Sequence, residues 1–406
     1  MQTSLRFSFL RIINPGGLIS LHAPGYLSYT SFMRFAPICS FFLAAMLVNA
    51  QDTPTQKALA LEQQAQWKQA EAAWREVIQQ SPSDGAAYAH LGLVLSREED
   101  YAQAAAAYRR ALVLKSNLPG VELNLALALF KQGKLDEAIA PLKSAATKSP
   151  DNLQAQLLLG MCYYGTGQYA EAVPYLRTAV TKTPDNIQLR TLLAQSCLWI
   201  KQYGCTLEQY KQILRLNPES AQADMLAGEA LDGENDTDAA IRQFEAAAKV
   251  SPNEPNVHFG LGYMLWKQSS YEAAEKEFKL ELANDPNHSQ ALAYLADIEI
   301  KRNANAQPLL EKAVHQANPP RIAFLDLGIL YADQGRRDEA MAAFQRAIQL
   351  DPAQVDAHWR LARLYASMGR QQDAKAEFDK AKELHKQQDE PLVEKMTTSR
   401  RSNAAP

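Results

Sequence analysis

The chain has 406 residues, of which 47% are hydrophobic and 21% charged, a balance that builds buried cores rather than solvated coil. Its net charge of −3 supplies no positive field over so great a length. Nucleic acid is therefore not the expected partner.

The first 50 residues carry Arg6, Arg11 and Arg34 and no acidic residue. Met33-Arg34 is a short positive start, Phe35 to Val48 an uncharged apolar run, and Val48-Asn49-Ala50 offers compact residues where a signal peptidase reads. Cleavage is expected before Gln51. The run is too short for a comfortable membrane span, so a removed signal is expected and no integral span in the mature chain. Cys39 lacks the small-residue pattern of a lipoprotein site. Translation starting at Met33, an unusually long n-region and an Arg-rich organelle transit peptide are alternative readings of this segment. Removing its three arginines from 42 basic residues against 45 acidic ones leaves a charge of −6. The expectation is an acidic, exported protein, periplasmic or extracellular.

Beyond Gln51 the chain is periodic. Pro82, Pro150, Pro184, Pro218, Pro252 and Pro286 fall on a 34-residue grid, with Ser116 in the one gap. Pro352 lies 66 beyond Pro286, so one unit should be two residues short, in the turn around Asn303. Twelve residues before each proline stands a small residue (Ala70, Ala104, Ala138, Ala172, Thr206, Ala240, Ala274, Ala340). Four residues later stands a large one (Trp74, Tyr108, Leu142, Leu176, Tyr210, Phe244, Phe278, Phe344). Earlier in each unit come pairs such as Leu91-Gly92, Leu125-Ala126, Leu159-Gly160, Leu261-Gly262 and Leu327-Gly328. Small residues let two helix backbones approach, and the large ones fill the layer between hairpins. The prolines stop the second helix of each pair because they cannot continue its hydrogen bonds.

At these columns the chain resembles the tetratricopeptide repeat family, whose unit is a 34-residue helix-turn-helix. Ten units start near residues 51, 85, 119, 153, 187, 221, 255, 289, 321 and 355, so that the resemblance covers residues 51–388. It implies an all-α, right-handed superhelical solenoid, with first helices lining a concave groove. Pro54 and Lys57 mark the first unit as a cap. Pro141, Pro174 and Pro308 should delay or kink the first turns of their helices. The tail 389–406 loses the period and reads as disordered.

A catalytic constellation is not found. His90, His258, His288, His315, His358 and His385 are scattered over different units, without H-E-x-x-H spacing or Cys-x-x-Cys, and no phosphate loop occurs. No cofactor, metal or enzymatic activity is expected. Asn235 and Asn287 begin glycosylation sequons, which are common by chance. Cys197 and Cys205 flank one hairpin turn and could staple it by a disulfide in an oxidising compartment; the other reading is two buried small hydrophobes, like Cys162.

The resemblance further implies that a ligand contacts first-helix positions 2, 5, 6, 9, 12 and 13. Those positions give Leu123, Asn124, Leu127, Phe130 and Lys131, then Leu157, Met161 and Tyr164, then Gln195, Leu198 and Trp199. The later units add Met225, Phe259, Tyr263, Trp266, Trp359, Arg360 and Arg363. Relatives that bind acidic chaperone tails use Lys and Asn at positions 5 and 9, where this chain has leucine and methionine. An apolar, aromatic stripe suits a hydrophobic or amphipathic segment of a partner protein. The competing reading is that these residues pack between neighbouring helices. The expected function is a protein-binding scaffold or adaptor in envelope assembly or secretion. The alternatives are the repeat portion of a catalytic system such as a glycosyltransferase, or a scaffold that self-assembles into a homo-oligomer.

Overall fold

The computed structural model describes residues 53–389. It divides after Ile200 into two compact units. Unit one holds α1 (Pro54–Gln63), α2 (Trp67–Gln80), α3 (Gly85–Arg97), α4 (Tyr101–Leu114), α5 (Val121–Lys131), α6 (Leu135–Lys148), α7 (Leu153–Gly165), α8 (Tyr169–Lys182) and α9 (Ile187–Trp199). Unit two holds α10 (Tyr203–Leu216), α11 (Ala221–Gly233), α12 (Thr237–Val250), α13 (Val257–Lys267), α14 (Tyr271–Asn284), α15 (Ser289–Lys301), α16 (Gln307–Val314), α17 (Arg321–Asp333), α18 (Arg337–Leu350), α19 (Val355–Ser367) and α20 (Gln371–Asp389). No strand occurs among the described residues.

The helices pair as the periodicity predicts. Several starts are set by side-chain caps: Asp84, Asn152, Asn186 and Ser220 accept from backbone N–H groups of the first helices, Asp100 and Asp236 from those of second helices. Each hairpin then turns through one residue in the left-handed region. These are Ala65, Glu99, Gly133, Gly167, Lys201, Asn235, Ser269, Asn303, Gly335 and Gly369. At Gly133 the following N–H of Lys134 reaches back to Leu129 O at 3.0 Å, closing the helix end. Six of these ten residues are not glycine, so most hairpins carry a small local strain that the packing offsets.

That packing rests on two columns. Gly92 lies beneath the ring of Tyr108, Gly228 and Gly328 beneath Phe244 and Phe344, and Gly262 beneath Phe278. A Cβ at any of the four would stand 2.6–2.8 Å from ring carbon, closer than atoms can approach. Where the aromatic gives way to Leu142, the glycine gives way to Ala126. Within each unit the first helices also touch one another, α3 on α5 and α7 on α9, then α11, α13, α15, α17 and α19 in succession. In unit two they form a layer of their own.

Two expectations need correcting. The shortened eighth hairpin has not lost residues in its turn: α16 has eight residues where other second helices have fourteen or more, while the connections on either side are longer. Leu310 and Ala313 are fully buried and hold the remnant in place. Pro141 and Pro174 do not delay their helices, which begin at Leu135 and Tyr169, in register with the other second helices, and run through the proline. Buried Ala138, Leu142 and Ala145 on one helix, and Ala172, Leu176 and Ala179 on the other, clamp the turns on both sides. Pro308, at the second position of α16, costs no internal bond.

Candidate partner-binding face

In unit one the candidate residues lie along α5 and along α7 and α9, which touch. Leu123, Asn124 and Leu127 are half-buried on α5, with Phe130 buried beside them and Lys131 exposed at the helix end. Leu157 and Met161 are half-buried on α7. Tyr164, at the end of α7, is buried, and its hydroxyl donates to Gln195 Oε1 on α9 at 2.6 Å. Burial pushes that hydroxyl up to about 12. Tyr169 meets Tyr164 edge-on at 5.7 Å and stacks on Trp199 at 5.5 Å with the rings 8° apart. Trp199 is 49% exposed; Leu198 beside it is half-buried.

Unit two is built differently. Met225 on α11 packs half-buried against the core around Phe244 and Leu261, alongside Tyr263. Phe259, Tyr263 and Trp266 follow one another on α13, rings about parallel, at 6.2 and 6.0 Å. Phe259 is fixed by its backbone: Glu281, 1% exposed on α14, accepts from the N–H groups of Asn256 and Phe259 at 3.0 and 3.1 Å. A buried carboxylate thereby closes the start of α13, where a helix favours negative charge.

Three residues outside the predicted set complete this face. Tyr294 on α15 meets Tyr263 at 5.2 Å and Trp266 at 4.9 Å, edge-on to both, and stacks on Phe278 at 5.9 Å. Burial raises its hydroxyl well above the ordinary phenol range. Asp297, one turn further along α15, accepts from Trp266 Nε1 at 2.6 Å and from Lys301 Nζ at 2.6 and 2.7 Å. Asp326 on α17 is 8% exposed, and its Oδ2 has no hydrogen-bond partner. Burial, reinforced by the charge of Asp297, pushes Asp326 up to about 7 against the opposing cations Lys301, Arg360 and Arg321. Tyr294 and Asp326 both hold position 6 of a first helix, the column already read in other units. A lone aspartate in a helix gives no such warning.

Further along unit two, Trp359 and Arg363 are exposed on α19, the guanidinium lying 4.7 Å over the indole, and Arg360 is half-buried between them. The cysteines fall as follows: Cys197 is buried on α9, Cys205 half-buried near the start of α10, and neither is a free thiol, whereas buried Cys162 is. Burial pushes the Cys162 thiol up to about 12, so it is not a reactive thiolate. Among the described residues no three His, Cys, Asp or Glu side chains group as metal ligands, and no helix is long and apolar enough to cross a membrane. The first 50 residues, expected to be a signal, and the tail beyond Asp389 lie outside the described residues.

No curated protein sequence matches the chain. Among solved structures it is similar to MamA from residue 41 to its end, from Desulfovibrio magneticus RS-1, at 22% identity and a TM-score of 0.38, covering 41% of this chain and 95% of that one. The human IFIT1 dimer with m7Gppp-AAAA is similar at 15% identity and a TM-score of 0.43, over 81% of this chain and 88% of that one. The anaphase-promoting complex hetero-tetramer Cut9-Hcn1 is similar at 12% identity and 0.49, over 82% and 80%. Family profiles described as tetratricopeptide repeat match residues 55–119, 129–196, 230–289 and 355–387, and one described as TPR repeat matches 328–369. With those matches spanning more than half its length and one hairpin after another carrying the same columns, this chain belongs to the tetratricopeptide repeat family.

Proposed function

We propose that the chain is a non-enzymatic scaffold that holds an apolar or amphipathic segment of a partner protein against its first helices. The observation that carries this reading is the recurrence of half-buried apolar side chains at one first-helix position, Leu127, Met161 and Tyr263, with Trp266 one turn beyond Tyr263 on the same helix. Side chains with one flank packed and one open are pre-ordered, so binding costs little further rotamer entropy. Membership of a repeat family whose proteins bind other proteins supports it. Export, envelope assembly or secretion as the setting, and a Cys197–Cys205 disulfide suited to such a compartment, belong to the same proposal and rest on the first 50 residues and on the position of the cysteines.

The test is capture of partners from an envelope extract by residues 51–406, with Leu127→Ser/Met161→Ser as one variant and Tyr263→Ser/Trp266→Ser as another. Circular dichroism must show both folded. A partner retained by the parent chain and lost from either variant is the expected result. Equal retention by all three proteins defeats the reading and returns the stripe to internal packing.

A further inference from the structure

The last described hairpin, α19 with α20, repeats the residues of the inner ones without their environment. Trp359 and Phe378 occupy the columns that hold Phe259 and Phe278 in the seventh hairpin. There the two rings lie 6.1 Å apart, and both meet Tyr294 of the next first helix, at 6.1 and 5.9 Å. Phe278 is fully buried as a result, and the same column is 0–3% exposed at Trp74, Tyr108, Leu142, Leu176, Phe244 and Phe344. Phe378 is 37% exposed and Trp359 43%. No described helix follows α20. The Phe378 ring is offered outward rather than drawn in.

A terminal repeat ordinarily ends in a polar face. The first described helix obeys this: α1 shows solvent Thr55, Gln56, Lys57 and Gln63. The α20 end does not, and its rim is mostly positive. Lys375, Lys382 and Lys386 are spaced three, four and eight residues from Phe378, which puts all four on one face of the helix. The three lysines are exposed and have no described ion-pair partner, and exposed Arg363 lies over Trp359 on the neighbouring helix. Of the acids on α20, Glu377 pairs with His358 at 2.6 Å, Asp373 with Arg370 at 2.7 Å and Glu383 with Lys380 at 3.0 Å, while Asp379, exposed beside Phe378, has no described ion-pair partner and leaves the rim net positive.

We propose that this end face is a docking site for an amphipathic helix of a partner protein, apolar on the side that meets Phe378 and Trp359 and acidic at its margins. It takes the place that α15 takes on the seventh hairpin. The apolar pair supplies the area and the lysine rim the orientation and partner choice. A second copy of this chain fits less well through the same surface, because lysine would face lysine. The site shares Trp359 and Arg363 with the first-helix candidates but does not use Leu127, Met161, Tyr263 or Trp266.

The test uses residues 51–406 and a fluorescent peptide with the sequence of residues 287–302 carrying Lys301→Glu and Arg302→Glu, an acidic first helix with its Tyr294. Saturable binding by anisotropy is expected. Lys375→Glu/Lys382→Glu/Lys386→Glu, which alters no buried group, should weaken it about tenfold at low salt. Phe378→Asp should abolish it; if that variant melts early, the lysine variant still decides. Absence of saturable binding, or indifference to the lysine changes, overturns the proposal. So does a concentration-dependent dimer that Phe378→Asp dissolves, which would give the face to a second copy. Binding seen only after removal of residues 390–406 would give it to the chain's own tail, and overturns the partner assignment as well.

Discussion

The first-helix faces of the two units occupy the same positions of the same repeat and are chemically unlike. Unit one presents Leu123, Leu127, Leu157 and Met161, flexible side chains, and ties the buried phenol of Tyr164 to a neutral amide, that of Gln195. Unit two presents Phe259, Tyr263 and Trp266, locked ring against ring with Tyr294, and adds two carboxylates, Asp297 satisfied and Asp326 not. The repeat dictates where a side chain stands, while its chemistry is left free. An aliphatic face with methionine adapts its shape to a segment, whereas interlocked rings select one. The two units should therefore differ in how sharply they discriminate and in how easily one substitution disables them.

The largest effect is expected at Phe278. Phe278→Ala empties a fully buried site and should cost about 3–5 kcal/mol. It also removes the ring on which both Phe259 and Tyr294 lean, so the aromatic face of unit two should loosen beyond the cavity itself. Leu142→Ala, the same column in unit one, should cost about 2–5 kcal/mol by the same cavity rule without disturbing a ring cluster. Denaturant melts of the two variants, followed by near-ultraviolet dichroism, separate the cases: the Phe278 variant alone should lose aromatic signal ahead of helix content. Equal loss from both would remove the distinction between the faces.

Asp326 comes next. Its folded-state carboxyl keeps its proton up to about pH 7, whereas the unfolded chain gives it up near 3.8. Between those values the unfolded state binds fewer protons, so this group's contribution to stability is greatest at low pH, falls as pH rises from about 4 to 7, and is flat above. A displacement of that size corresponds to roughly 4 kcal/mol. Asp326→Asn keeps the shape without the charge. It should be more stable than the parent at pH 8, by an amount that shrinks towards pH 4. The charges that set the size of this effect are Asp297, Lys301, Arg360 and Arg321. A variant whose difference from the parent is the same at both pH values would show that Asp326 is solvated and ionised. Trp266→Phe is smaller: it removes the indole N–H that Asp297 accepts and should cost about 2 kcal/mol, the value of a bond to a charged group. Intrinsic fluorescence and a melting curve read it.

Most of the fold was legible because a repeat states its rule many times over. Ala-Leu-Gly columns at one spacing declare close helix packing, and the hairpin boundaries fall where the prolines and caps lie. The six left-handed turn residues that are not glycine were not legible, since Glu99 and Lys201 give no hint of such a conformation. The shortened α16 was hidden because its lost turns are partly made up by longer connections, leaving a net difference of two residues that looks like a loop deletion. For the candidate face, repeat positions located Leu127, Met161, Tyr263 and Trp266. They missed Tyr294, Asp297 and Asp326, whose meaning depends on which neighbours bury them. An aspartate written between Leu325 and Leu327 looks like a solvated break in an apolar run, and only tertiary packing shows it to be enclosed.

The smallest expected effect tests the neutral contact of unit one. Tyr164→Phe keeps the ring, and with it the edge-on packing against Tyr169 and the stack that Tyr169 makes on Trp199. Only the hydroxyl is lost, which donates to Gln195 Oε1. The amide oxygen is left on a half-buried side chain, within reach of water, so the cost should be about 1 kcal/mol, that of an ordinary hydrogen bond and not of a stranded buried acceptor. The loss should also be the same at pH 5 and pH 8, because the Tyr164 hydroxyl titrates only near 12. That flat profile is the counterpart of the sloping one expected for Asp326→Asn. Adding Gln195→Leu to Tyr164→Phe should recover part of the lost stability, since it replaces the unpaired amide with an apolar side chain beside Leu198. A double variant worse than either single one would mean that Gln195 has further partners, and that the polar groups of unit one are tied into their surroundings as firmly as those of unit two.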